Sequence, residues 1–246
     1  MQYVNIINDE DRDENDSHTT MSAMSDDSTR KLNILAKFIT TCDWKMGLIA
    51  LKINPDDTSI WIEKYDDNVN GTKQYMSRYL PIHSACALDP PVSFINSILL
   101  AYPEGVKALD DQGMTPLHYA CSNMASKEVI QILLKFYPDS INLVEPSTGR
   151  YPLHLAVYWG QSSLDVLKLL LEHDRKILST KDIEGNIPLE LAINSEYKSK
   201  EVIALLQRET LNEFEGLCAS LCKYEEHSPI QIQKINQIIN FRTSCT

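Results

Sequence analysis

Apolar residues in this 246-residue chain fall in short clusters at helical spacing, and the clusters come in pairs. The longer member of each pair is apolar on most sides. Phe94, Ile95, Ile98, Leu99 and Leu100 form one, and Val129, Ile130, Ile132, Leu133 and Leu134 the next. Leu164, Val166, Leu167, Leu169, Leu170 and Leu171 form a third, and Val202, Ile203, Leu205 and Leu206 a fourth. A helix apolar nearly all round is a helix sandwiched between neighbours, so the spacing predicts a buried helix over Lys127 to Phe136 and over its three counterparts. A shorter cluster precedes each: L-P-I-H-S-A-C from Leu80, M-T-P-L-H-Y-A-C from Met114, Y-P-L-H-L-A-V from Tyr151 and I-P-L-E-L-A-I from Ile187. Their prolines, Pro81, Pro116, Pro152 and Pro188, step by 35, 36 and 36 residues. A fixed period in this range marks a repeat architecture, in which each unit hides its apolar flank only against the next. Proline suits the first helical position, where its missing N–H costs nothing. Thr115, just before Pro116, is the expected N-cap.

The flanking segments lack the motif. Leu32, Ile34, Leu35, Phe38 and Ile39 keep helical spacing, and Asp43 can cap a second helix through Trp44, Leu48, Ile49 and Leu51 that Asn54-Pro55 would stop. Ser59-Ile60-Trp61-Ile62 and Gln74-Tyr75-Met76 flank Asn-Val-Asn-Gly at 68–71, and Asn70-Gly71 is a strong hairpin signal. Residues 29–79 therefore read as an N-terminal helical cap unit with an elongated hairpin finger, and 80–209 as the repeats. Residues 210–246 read as a C-terminal helical cap and tail, in which Leu211, Phe214, Cys218, Leu221 and Cys222 share a helix face. Residues 1–28 are acidic, lack periodicity, and are expected to be disordered.

T-P-L-H-x-A is the signature of ankyrin repeats, whose usual period is about 33, and the stretch from about 80 to 207 resembles an ankyrin array. The Tyr-Pro endings at Tyr102-Pro103 and Tyr137-Pro138 replace the family's usual glycine and account for part of the longer period. This long-period style loosely resembles ankyrin arrays of single-celled algae. The resemblance implies an all-α, ankyrin-type solenoid of stacked helix-turn-helix repeats with short β-hairpin fingers. It implies that His83, His118 and His154 bond backbone and cap hydroxyls, tying one finger to the next, and that the last unit, with Glu190 instead, is looser. It also implies a partner-binding concave face made of finger tips and first helices. Carried over residue by residue, that face comprises Tyr79 and Leu88, then Asp111, Gln112, Met114, Ser122 and Asn123. Ser147, Thr148, Arg150, Tyr158 and Trp159 follow, then Ile183, Glu184, Asn186 and Asn194. Tyr, Trp and Arg most often dominate interface energy, which places Arg150, Tyr158 and Trp159 at the centre. Trp159 could instead pack on the adjacent repeat.

Charge and chemistry narrow the function. The net charge is −11, and residues 1–28 hold eight acids against Arg12, leaving −4 for the remainder. That balance disfavours nucleic acid. No apolar run nears the roughly 20 residues of a membrane span, and no secretory signal is visible, so a cytoplasmic setting is expected, with the nucleus as the alternative. Cys86 and Cys121 recur at one repeat position as small interface side chains. Three histidines stacked about 10 Å apart cannot share one metal, and Cys218, Cys222 and His227 lack a fourth ligand. There is no phosphate-cradling glycine loop, no G-x-S-x-G and no H-E-x-x-H. The reading is a non-catalytic, monomeric scaffold or adaptor that binds an unknown protein partner without cofactor or metal. The alternatives are a regulatory ankyrin segment of a larger signalling protein, or a metal or redox protein using Cys218, Cys222 and His227.

Overall fold

A computed structural model describes residues 33–67, 73–158 and 163–221. The acidic segment 1–28, the Asn70-Gly71 turn, Trp159, Cys222 and His227 lie outside the described residues, as does the side chain of Cys218.

Ten helices and one hairpin make up the described chain. The first pair is α1 (Ile34–Thr40) and α2 (Trp44–Ile53). The hairpin follows as β1 (Ile62–Asp67) and β2 (Lys73–Tyr79). Then come α3 (Pro81–Cys86) with α4 (Val92–Ala101), α5 (Pro116–Ser122) with α6 (Lys127–Phe136), and α7 (Pro152–Tyr158) with α8 (Leu164–His173). The last pair is α9 (Pro188–Asn194) with α10 (Lys200–Leu221). Each repeat proline opens a helix, as its fixed φ favours. The odd-numbered helices stack on one another in sequence order, and the even-numbered helices form a second, parallel stack. A helix pair thus buries apolar surface against its own partner and both neighbouring units. The core runs continuously from Leu35 to Leu206, with Phe94, Ile95, Leu133, Leu153 and Leu170 wholly inaccessible.

The caps are as the local sequence dictates. Asp43 accepts the Met46 N–H at 3.1 Å and opens α2, and Thr115 accepts the His118 N–H at 3.4 Å and opens α5. Pro55–Ser59, Pro103–Lys107, Pro138–Asn142 and Arg175–Ser179 each form a one-turn 3-10 helix after an even-numbered helix. Proline cannot supply the N–H that would continue the α-helix, but it fits the first position of a new tighter turn. Hydrophobic periodicity alone does not disclose these turns, because five residues are too few to show a helical period.

Two features depart from the expected layout. Ser59 sits in a 3-10 turn and Ile60 and Trp61 precede the first strand, so β1 begins only at Ile62. The expected division at 209/210 falls inside α10, which runs 22 residues without a break. Nothing between Arg208 and Glu213 could stop a helix, and Thr210 is buried on the array. The hairpin is antiparallel from Ile62–Tyr79 to Asp67–Lys73, with an irregularity between Lys64 and Tyr65.

Candidate protein-binding face

The surface of interest is built from the fingers and the odd-numbered helices. Each later finger is closed by a carboxylate. Asp110 Oδ1 accepts from the Gln112 and Met114 backbone N–H groups at 2.9 and 2.7 Å. Asp182 Oδ1 accepts the Asn186 N–H at 2.8 Å. The middle finger is one residue longer, and Glu145, one methylene longer, accepts from Ser147 N and Thr148 N at 2.8 and 2.9 Å. Gly113, Gly149 and Gly185, 36 residues apart, supply the positive φ that ends each turn (75, 65 and 87°). The fingers are also bonded in series: Asp111 N donates to Arg78 O at 3.2 Å, and Ile183 N to Thr148 O at 2.9 Å. Tyr75 on the hairpin donates its hydroxyl to the Asp111 carboxylate at 2.7 Å, and that anion pushes the phenol pKa up to about 12.

Behind the fingers, the repeat histidines lock the units together. Leu80 N–H donates to His83 Nδ1 at 3.2 Å, and His83 Nε2 meets Ala108 O at 3.1 Å. Thr115 N–H donates to His118 Nδ1 at 3.1 Å, and Nε2 reaches Leu143 O at 3.2 Å. Tyr151 N–H and Asn186 O hold His154 the same way, each at 3.3 Å. A carbonyl only accepts, so Nε2 carries the proton and Nδ1 offers its lone pair. The rings are neutral, and burial lowers all three pKa values, that of His118 to about 4. Neither nitrogen has a lone pair left for a metal. Among the described residues, no three His, Cys, Asp or Glu side chains are grouped to hold one. Glu190 keeps half of the pattern, accepting Ile187 N–H at 2.9 Å.

The expected face residues fall into two groups. Arg150 and Tyr158 come together: the guanidinium carbon lies 4.2 Å from the Tyr158 ring centroid, and Nε is 3.6 Å from Asp182 Oδ2. The Arg150–Asp182 pair is largely enclosed, the side chains being 13% and 1% exposed. Burial pushes the Asp182 carboxyl up, but the Asn186 hydrogen bonds and the Arg150 charge outweigh it and hold it low. Asp111, Gln112 and Glu184 are exposed, and Tyr79, Asn123 and Asn186 half-buried. Met114 departs from expectation: at 3% exposure it belongs to the core and offers no side chain to a partner. It lies where the finger chain turns inward, between its N–H bond to Asp110 and the cap at Thr115. Asn123 donates its side-chain amide to Tyr119 O at 2.9 Å and ends α5.

Sequence reasoning passed over Asp110, Glu145 and Asp182, the carboxylates that shape the fingers. Their signal was an acid six or seven positions before each of three repeat prolines.

Residues 125–213 match the family model for ankyrin repeats in three copies. The chain carries ankyrin repeats. The match begins at the second helix of the α5–α6 unit, and the motif at Pro81 and Pro116 lies before it. The SMC5-SMC6 complex localization factor protein 1 of Bos taurus is 29% identical over 143 residues, which cover 57% of this chain and 13% of that protein. Its Homo sapiens counterpart is 28% identical over 148 residues, 59% of this chain and 13% of that one. Rabankyrin-5 of Mus musculus is 36% identical over 99 residues, 40% of this chain and 8% of that protein. The chain therefore spans about an eighth or less of the length of these relatives. No described helix is long and apolar enough to cross a membrane.

Proposed function

We propose that this ankyrin array is a non-catalytic adaptor that binds a protein partner on the face formed by its fingers and odd-numbered helices. The observation that carries this reading is the Arg150–Tyr158 stack, held from behind by Asp182. With its side chain only 13% exposed and facing Asp182, Arg150 fixes the half-buried Tyr158 ring from behind, so that ring meets a partner with little further loss of side-chain entropy. Asp111, Gln112 and Glu184 would supply the polar rim, and Trp159, next in sequence to Tyr158, a second aromatic anchor. The histidines are consumed by the scaffold, which supports a reading without acid–base chemistry. The protein is read as a monomer of the cytoplasm, with the nucleus as the alternative. Relatives named as a localisation factor for a protein complex support positioning of a partner as the task.

A second reading is favoured by the length of the relatives: an ankyrin segment that regulates a larger signalling protein. Both readings use the same face and meet the same test. Tagged wild type and Tyr158→Ala/Trp159→Ala are compared by affinity capture with quantitative mass spectrometry, beside Lys168→Ala on α8 as a control. The aromatic variant loses specific partners at least about tenfold, the equivalent of about 1.4 kcal/mol, while the control retains them. Retention of every partner by a folded aromatic variant would refute the site.

A further inference from the structure

Among the described residues, every even-numbered helix but the two end ones packs between two other even-numbered helices, and α2 has such a neighbour only on the α4 side. Its other flank forms, with α1, an open groove floored by Ile34, Phe38, Met46, Ile49 and Ile53. Four of these are among the most exposed apolar side chains described: Ile34 at 53%, Met46 at 40%, Ile49 at 47% and Ile53 at 79%. Contiguous apolar exposure of this kind marks a binding surface. The rim is cationic. Lys37 lies one turn from Ile34, and Lys45 and Lys52 lie one turn either side of Ile49, by helical spacing. All three lysines are exposed and form no ion pair with a described residue. The nearby acids are used locally: Asp43 caps α2, and Asp57, itself buried, accepts from the Asn54 side chain.

We infer that this groove is covered by the chain's own residues 1–16, M-Q-Y-V-N-I-I-N-D-E-D-R-D-E-N-D. Tyr3, Val4, Ile6 and Ile7 supply apolar groups for the floor, and six acids against Arg12 supply charge for the lysine rim. The order fits, since the apolar residues come first and the acids follow in one block. Reach is no obstacle. The 26 residues from Ile7 to Asn33 can span up to about 90 Å, whereas α2 is about 15 Å long. Tethering also raises the local concentration of the segment to the millimolar range, so modest contacts suffice. The covered groove completes a flank of α1 and α2 that no other described helix packs against.

The test uses the full chain with the photo-cross-linking residue p-benzoylphenylalanine in place of Tyr3. Irradiation at low micromolar concentration yields an internally cross-linked monomer, and the attachment maps by mass spectrometry to residues 34–53. The yield falls at least threefold with Ile49→Asp and with Lys45→Glu/Lys52→Glu, each at exposed positions and checked for folding by circular dichroism. It also falls as salt rises from about 0.1 to about 1 M, which shortens the Debye length from about 10 to about 3 Å. Attachment outside residues 34–53 overturns the proposal, as does a yield indifferent to both variants. A product found only as a covalent dimer also overturns it, by making a second copy the occupant.

Discussion

His118 is the most heavily committed side chain of the array. Its ring accepts from the Thr115 backbone and hydroxyl on one side and donates to Leu143 O in the next unit on the other. The imidazole must stay neutral to do both, and burial holds its pKa at about 4 against an ordinary 6.5. A depressed histidine pKa means that the unfolded chain binds the proton first. The stabilisation is therefore complete above about pH 6.5 and is lost as pH falls towards 4. Between pH 7 and pH 5 this one group removes about 2 kcal/mol. Urea unfolding at the two pH values measures the drop, and His118→Asn reduces it by about that amount. An equal drop in the variant would show that the ring titrates freely. His83 and His154 act with the same sign, since burial lowers both.

Between elements, α2 and α4 approach closely at Gly47. A Cβ there would lie 2.7 Å from Cε2 of Phe94, a ring wholly buried and edged by Trp44 at a centroid distance of 5.0 Å. Helix propensity alone would make Gly47→Ala stabilising by about 1 kcal/mol. Overpacking against a ring that cannot move opposes this, at about 1–3 kcal/mol. The expected net effect is destabilisation by about 1 kcal/mol, read from the shift in the urea midpoint. Adding Phe94→Leu makes room and turns the effect of the alanine favourable. A double-mutant cycle that shows no coupling would place the two helices further apart. The glycine signalled none of this in the sequence, where it reads as a weak point in a helix.

Across the whole molecule, stability is set by how many neighbours a unit has. The α3–α4, α5–α6 and α7–α8 units are packed on both sides, whereas α1–α2 and α9–α10 are packed on one among the described residues. In a one-dimensional stack, opening begins at the ends. Native-state hydrogen exchange should accordingly be slowest in α5 and α6 and fastest in α1, α2 and the later turns of α10. Equal protection along the array would mean that it opens only as a whole.

The period, the repeat prolines, the Thr115 and Asp43 caps and the histidine positions were legible from sequence, because each depends on neighbours within a few residues or on a unit that recurs. Even the borders of α6 were readable, since a run of apolar residues at helical spacing ends at Tyr137-Pro138. What required the folded array was which side chains are already spent. Arg150 and Met114 look alike in sequence as finger residues. Yet one stacks on Tyr158 and faces Asp182 from 32 residues away, and the other fills the core. The continuity of α10 past Thr210 and the open lysine-rimmed flank of α2 also emerged only there. Local chemistry decides where a helix begins, but burial and pairing depend on residues that stacking brings together from distant repeats.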